Sequence, residues 1–330
     1  MTQLTDDCFA GAGALTPIEA ALDLILPRLV PVTAEETVDL AQALGRILRR
    51  DVAAPADVPG VAAKAGTVQL RAGRRLGPQD IWLAAALGAT RLIVSRPLRV
   101  ALFSTGDELA PPGAPLAPGQ IYDSNGQTVG ALLRRFGAHC TYSGILADRQ
   151  AEVERALASA AAEHEVVVTS GGVSTGEEDH VKAALEALGT LHVWRLAIKP
   201  GRPVALGQLR RDGGGVPFIG LPGNPVAAMV TFLRVARPIL LALMGGSELE
   251  PVRYRLRAAF EHRKKRERRE FLRARLVREP DGALAAVKFP REGAGILSSL
   301  VEADGLVELP ESLTRLEPGA MVDFLPFDAA

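Results

Sequence analysis

Cysteine is almost missing from this chain. Only Cys8 and Cys140 occur among 330 residues, and neither stands in a CxxC pair. That excludes a disulfide scaffold and a cysteine-built zinc site. Aromatic residues are scarce at 5%, so the cores must be built from Ala, Val and Leu. No charge excess exists either: Lys plus Arg number 38, and Asp plus Glu number 38. A zero balance gives no global pull toward nucleic acid or a membrane surface. No apolar run reaches the roughly 18 uninterrupted residues of a membrane span. The opening stretch from Met1 to Asp7 is acidic and lacks a basic segment followed by an apolar core. The expectation is a soluble cytoplasmic protein with no nucleic-acid and no membrane partner. Internal repeats and low-complexity segments are also lacking.

What is present is 48% hydrophobic residues over a length suited to two or three domains. Thr16 to Pro97 reads as helical with short connections. Thr16-Pro17-Ile18-Glu19 offers an N-cap threonine with proline in the first turn. Thr33-Ala34-Glu35-Glu36 has the form of a capping box, and the helix after it would align Val38, Ala41, Leu44 and Leu48. Pro78 to Leu87 reads as a third helix. From Leu98 strands and helices alternate, which predicts βαβ units, a parallel sheet and helices on both faces. After Gly245-Gly246-Ser247 come short alternating strands, split by hairpin-type turns at Glu279 to Gly282 and Glu302 to Gly305. The expected fold is therefore α/β with helices on both faces of the sheet, with a helical N-terminal region over 1–97, an α/β domain over 98–247 and a small C-terminal β-barrel or sandwich over 248–330; the three-layer domain and the barrel are the forms that the resemblance below implies.

In open α/β sheets ligands sit beyond the carboxyl ends of the strands. The residues there are Thr105-Gly106-Asp107-Glu108, Asp148, the Ser170 to Asp179 loop, Lys199-Pro200-Gly201-Arg202 and Pro222-Gly223-Asn224-Pro225. The most telling is Val166 to Asp179, three β-branched residues running into Ser170-Gly171-Gly172, then Ser174 and a cluster of acids. Glycines let backbone N–H groups approach an anion. Acids at strand ends suit a Mg²⁺-assisted reaction on a phosphate-bearing substrate, since hard cations choose oxygen ligands. Arg195, Lys199 and Arg202 could hold an oxyanion. Asp107 could equally cap a helix, and Asn224 could cap the helix that starts at Pro225. Arg263 to Arg273 is locally basic, either a solvated loop or an anion site brought to the rim by the last domain.

These motifs, in this order, resemble the molybdopterin molybdenumtransferases, the enzymes of the last step of molybdenum-cofactor assembly. The matching text is VALFSTGDEL from Val100, GQIYDSN from Gly119, TSGGVSTGEED from Thr169, LAIKPGRP from Leu196, GLPGNP from Gly220, Arg268 to Arg273, and GILSSLVEADG from Gly295. The resemblance implies a molybdopterin-binding α/β/α domain, a C-terminal barrel and a homodimer. It implies adenylylated molybdopterin and molybdate as substrates, AMP as the leaving product and Mg²⁺ as cofactor. A molybdoenzyme or a pterin adenylyltransferase is the kind of protein partner it implies. Glu108, Asp148 and Asp179 look like the family's catalytic and metal-holding acids. Lys199 resembles a family lysine near the oxyanion, and Arg273 an arginine from the last domain. The Ser170-Gly171-Gly172 loop resembles the pterin-phosphate contacts.

The chain also departs from the family. The Asp-Asn-Ser-Ala-Met-Asp-Gly-Tyr-Ala motif is absent after Asp57-Val58-Pro59-Gly60, and so is the small domain that the family inserts behind it. Arg195 stands where relatives carry lysine, which changes donor geometry. Ala294 stands where relatives carry a serine hydroxyl. Two readings follow: a compact active transferase, or a non-catalytic paralogue that carries molybdopterin or scaffolds a partner. A pterin adenylyltransferase-like activity is a third, and the barrel argues against it.

Overall fold

The computed structural model describes residues 15–146, 149–172, 180–212, 214–291, 293 and 295–328. The N-terminal part holds β1 (Leu15–Thr16), α1 (Ile18–Ile25), β2 (Glu35–Asp39), β3 (Val52–Ala53), β4 (Val68–Leu70), α2 (Pro78–Ala86) and β5 (Arg91–Ser95). The helical expectation holds for α1 and α2 and fails between them. Glu35–Asp39 is a strand paired antiparallel with β5, so the apparent capping box caps nothing. Thr33 is buried, and its hydroxyl has no hydrogen-bond partner among the described residues. Thr37-Val38 opposite Leu92-Ile93 is a β-branched, half-buried match, and such tertiary pairing outweighs a local helix signal. Thr16 likewise does not cap α1, because it pairs with Leu196 in a parallel bridge. Between β3 and β4 the chain makes only a short excursion before the strands pair.

Next come β6 (Arg99–Thr105), β7 (Leu109–Ala110), β8 (Ile121–Tyr122), α3 (Asn125–Arg135), β9 (His139–Leu146), α4 (Gln150–Glu163) and β10 (Val166–Ser170). They are followed by α5 (His180–Leu188), β11 (Gly189–Leu196), β12 (Ile198–Lys199), β13 (Pro203–Arg211) and β14 (Gly214–Leu221). Seven strands form one sheet in the order β1-β11-β13-β14-β10-β6-β9. Every residue of β10 is buried, which is why it reads as a continuous apolar run. The sheet is mixed where a parallel one was expected: β13 runs antiparallel to both neighbours. Strands β13 and β14 form a hairpin, with Arg211 paired to Gly214 at its end.

Alternate residues send the two faces into different cores. Val100, Leu102, Val166 and Val168 pack with α1, α3 and the long helix from Pro225. Ala101, Phe103 and Val167 pack with α4 and α5. The long helix runs as α6 (Pro225–Thr231), a π-helical stretch (Phe232–Ala236) and α7 (Arg237–Leu243). By length and composition it could cross a membrane, yet 94% of it is buried inside the fold, so its apolarity is that of a core helix.

The last region contributes β15 (Tyr254–Ala258), β16 (His262–Arg263), β17 (Arg269–Arg278), β18 (Leu284–Lys288), α8 (Ser298–Val301), β19 (Gly305–Leu309), β20 (Arg315–Leu316) and β21 (Met321–Pro326). Strands β17-β18-β15-β21-β19 close on themselves through β19 and β17, giving the expected barrel. Glu279 to Gly282 is the β17–β18 turn, closed by Glu279 N–H to Ala283 O at 2.8 Å. Glu302 to Asp304 is no hairpin turn; it leads from α8 into β19. Strand β12 pairs with β17, so it is stitched to the barrel.

The joint between barrel and α/β sheet is both apolar, with Phe271, Leu306 and Leu325 sharing a core with Ile18 and Phe232, and ionic. Arg234 of the π-helical stretch is 1% exposed and reaches Glu19 at 3.2 Å and Glu308 at 3.4 Å. Arg269 pairs with Glu19, with Glu308 at 2.7 Å and with Glu311 at 3.1 Å. Part of the basic segment is thus spent on the joint. Lys264 is also buried, donating to the carbonyls of Pro310 and Leu313, both at 2.9 Å, and burial pushes its pKa down.

Candidate functional site

The parallel strands β6, β10 and β14 end together. Ser170 lies in register with Ser104 on one side and Leu221 on the other. Beyond that row the chain turns sharply. Gly171 has φ of 93°, and its N–H donates to Leu221 O at 2.9 Å. That amide is therefore committed to the sheet and not to an anion. A Cβ on Gly171 would lie 2.6 Å from Thr105 O, so this glycine lets two strand ends touch. Thr105 Oγ1 in turn faces Ser170 O at 3.5 Å. The Ser170 hydroxyl is buried with no hydrogen-bond partner among the described residues, a polar group that a bound ligand could satisfy.

Asn125 and Asn224 complete this rim. Asn125 Nδ2 donates to Gly223 O at 2.6 Å, and Asn224 Oδ1 caps α6 by accepting from Ala227 N at 3.4 Å. The Pro222-Gly223-Asn224 loop is thus held against the start of α3. Beneath it Asp123 is 1% exposed and accepts from Ser104 Oγ at 2.7 Å, Gly126 N at 3.0 Å and the Tyr142 hydroxyl. Burial, and then the hydrogen bond to Asp123, push the Tyr142 phenol up to about 12. This network braces the turn that carries Asn125. Sequence reasoning missed Asp123 and Tyr142, although Asp123 lies inside the GQIYDSN text. Asp107 and Glu108 occupy the turn after β6, and a Cβ on Gly106 would meet a Glu108 carboxylate oxygen at 2.5 Å. Asp148, Ser174 and Asp179 lie outside the described residues. Among those described, no group of three His, Cys, Asp or Glu side chains could hold a metal ion.

A second centre lies where β12 meets the barrel. A cavity of about 190 Å³ is lined by Lys199, Pro200, Glu270, Arg273, Lys288 and Arg291, with Phe271, Leu272, Phe289 and Gly293 as its apolar wall. Lys199 and Arg273, predicted from different parts of the sequence, meet here. The Lys199–Pro200 peptide is cis. Lys199 Nζ lies 3.5 Å from Glu270 Oε2, which also takes His262 Nε2 at 3.0 Å. Arg273 Nη2 donates to Arg291 O at 3.0 Å. Arg195 and Arg202 do not line the cavity: Arg195 is exposed on β11, opposite Pro203. Sequence reasoning missed Glu270, His262, Lys288 and Arg291. The Arg268 to Arg273 text contained Glu270, but its charge was outvoted by the surrounding arginines.

The two centres are joined through one close approach. Gly201 has φ of 99°, and a Cβ there would lie 2.8 Å from Thr231 Oγ1 and 3.2 Å from Ala227 O. The Pro200-Gly201 turn that follows Lys199 therefore packs on α6, whose first turn follows Asn224. The strand-end rim, with its unsatisfied Ser170 hydroxyl, and the cationic cavity at the barrel are thus connected through this turn.

Comparison with known proteins gives two family matches. Residues 101–242 match the family described as "Probable molybdopterin binding domain", and residues 255–327 match the family described as "MoeA C-terminal region (domain IV)". The Haemophilus influenzae protein named molybdopterin molybdenumtransferase is 36% identical over 266 residues, 80% of this chain and 65% of its own length. A Mycobacterium tuberculosis protein named molybdopterin molybdenumtransferase 2 is 34% identical, over 78% of this chain and 64% of its own. The chain thus spans just under two thirds of the length of these curated relatives. A crystal structure titled as a molybdopterin biosynthesis moea protein from Pyrococcus horikosii superimposes with a TM-score of 0.79 at 25% identity, covering 95% of this chain and 99% of that one.

Proposed function

The chain belongs to the molybdopterin molybdenumtransferase family, and from that premise we propose that it inserts molybdate into adenylylated molybdopterin with release of AMP. The observation that carries this reading is the cavity between β12 and the barrel. It gathers Lys199, Arg273, Lys288 and Arg291 around a single carboxylate, Glu270. Four cations against one buried acid suit a small dianionic oxyanion, and charge-assisted donors bind such groups well in a partly dry site. Lys199 would bind one oxygen as a point charge, while Arg273 offers a planar fork. The strand-end rim of Thr105, Ser170, Gly171, Gly223 and Asn224 would seat the pterin phosphate portion, with Ser170 Oγ as a donor still to be satisfied.

The same reading assigns Mg²⁺ to Glu108, Asp148 and Asp179. The donor chemistry fits, because all three are carboxylates and Mg²⁺ takes oxygen ligands. When bound there, the ion would neutralise charge on the substrate's phosphates. A homodimer and a cytoplasmic setting belong to this proposal as well. The alternative is a carrier or scaffold for molybdopterin, favoured by the absence of the Asp-Asn-Ser-Ala-Met-Asp-Gly-Tyr-Ala motif after Gly60 and by Ala294 in place of a hydroxyl.

The test is complementation of a strain lacking its own molybdenumtransferase, scored by a molybdoenzyme's activity at limiting molybdate. Rescue by the wild-type chain and loss of rescue with Lys199→Met is the expected result. Removing one charge-assisted contact should raise the molybdate requirement roughly 10- to 100-fold. A soluble chain that binds adenylylated molybdopterin but gives no rescue would leave the carrier reading.

A further inference from the structure

Behind the cavity's Glu270 and Lys288 stands His262, which does not line the cavity and which the transfer reaction does not itself require. Glu270 is 3% exposed and His262 is 7% exposed. His262 Nε2 lies 3.0 Å from Glu270 Oε2, and His262 Nδ1 lies 3.2 Å from Lys288 Nζ. The same Glu270 oxygen faces Lys199 Nζ at 3.5 Å. An ammonium has donors only, so Nδ1 must accept from Lys288. The ring proton then sits on Nε2 and is donated to Glu270. A doubly protonated ring would set an N–H against the Lys288 ammonium. The contacts thus select one neutral tautomer.

We propose that His262 is a positioning residue for Lys199, acting through Glu270. This rests on reading the cavity as the oxyanion site. Lys199 is the exposed member of the chain, with its side chain 53% accessible, and an unanchored lysine of that exposure would wander in solvent. Glu270 tethers it, and His262 fixes the oxygen that does so. The imidazole also stands between Lys288 and Glu270. Direct pairing of those two would turn the carboxylate away from Lys199 and remove one cation from the cavity. With the ring in place, Lys199 and Lys288 both keep their charge toward the oxyanion.

The closing experiment has two arms. In the first, side-chain ¹⁵N NMR is run on the wild-type chain, whose five histidines make the spectrum sparse. His262 is assigned by the signal lost in His262→Gln. A neutral ring protonated on Nε2 at neutral pH is expected; an Nδ1–H tautomer or an imidazolium overturns the proposal. In the second arm, molybdate binding by equilibrium dialysis and KM and kcat for molybdate are measured for wild type, His262→Phe and His262→Gln. His262→Phe should raise KM roughly 10-fold, the scale of one charge-assisted contact, with the change falling on KM and not on kcat. His262→Gln should recover most of it, since an amide can donate to Glu270 and accept from Lys288. An unchanged KM in His262→Phe refutes the positioning role. If that variant does not fold, the NMR arm and the Gln variant still decide. Wild type that binds no molybdate, with the expected tautomer present, overturns the oxyanion reading alone.

Discussion

Replacing Gly171 by alanine tests the contact on which the strand-end rim depends. Gly171 has φ of 93°, a region in which an L-residue costs about 1–2 kcal/mol. The added methyl carbon would lie 2.5 Å from Thr105 Oγ1 and 2.6 Å from Thr105 O. The hydroxyl can rotate away, but the carbonyl is backbone at the end of β6, so the strand end itself must move. Overpacking of that kind costs a further 1–3 kcal/mol or so. Gly113 supplies the control: its φ is 90° and a Cβ there meets nothing within 4 Å. Gly113→Ala should therefore show the conformational cost alone, about 1–2 kcal/mol, and Gly171→Ala roughly 2–5 kcal/mol. Urea unfolding of both variants, compared at equal m, reads the difference directly. If the two variants agree within about 0.5 kcal/mol, comparable to the effect of an ordinary surface substitution, then β6 and β10 do not close on each other at Gly171. The rim as described would then be wrong.

Arg234→Leu removes a nearly fully buried cation from between Glu19 and Glu308, and breaking a buried pair costs about 3–5 kcal/mol; a loss under about 1 kcal/mol in denaturant unfolding, the worth of a surface ion pair, would mean that the joint is held by packing alone. Of the three tyrosines, Tyr122 and Tyr254 are exposed, whereas Tyr142 should ionise last, near 12, in an absorbance titration. The folded chain then keeps a proton that the unfolded chain loses near 10, so this part of the stability is intact below pH 10 and disappears as pH rises toward 12. Tyr142→Phe should abolish both the late absorbance step and that part of the alkaline loss.

The α/β domain was legible because its strands are short, apolar and punctuated. Val166–Ser170 could hardly be anything but a central strand, and the Glu279 to Gly282 turn announced its hairpin. The errors share one cause: local signals that tertiary pairing overrules. Thr33-Ala34-Glu35-Glu36 has helix-start chemistry, but β5 offers Val38 and Thr37 a partner 50-odd residues away in sequence. The β13–β14 hairpin was overlooked because its turn at Arg210 to Gly214 looks like surface loop. The same limit applied to the site. Lys199 and Arg273 could be named singly, through resemblance, but nothing in their spacing says that they face one cavity. Glu270, His262 and Lys288 form a line only after β17 has paired with β18, and after β16, paired with β20, has brought His262 to them.

That folding also shows how the barrel is fastened to the α/β sheet. Strand β12 leaves the α/β domain and hydrogen-bonds to β17, with Ile198 opposite Arg269 and Lys199 opposite Glu270. Successive residues of a strand point to opposite faces. Arg269 therefore turns one way into Glu19, Glu308 and Glu311, and Glu270 turns the other way to Lys199 and His262. One dipeptide fastens the barrel to α1 and tethers the lysine of the cavity. Loosening the joint and misplacing Lys199 are then a single structural event. A substitution at Arg269, which lines no part of the cavity, should still weaken oxyanion binding, because the strand that carries it also carries the anchor for Lys199.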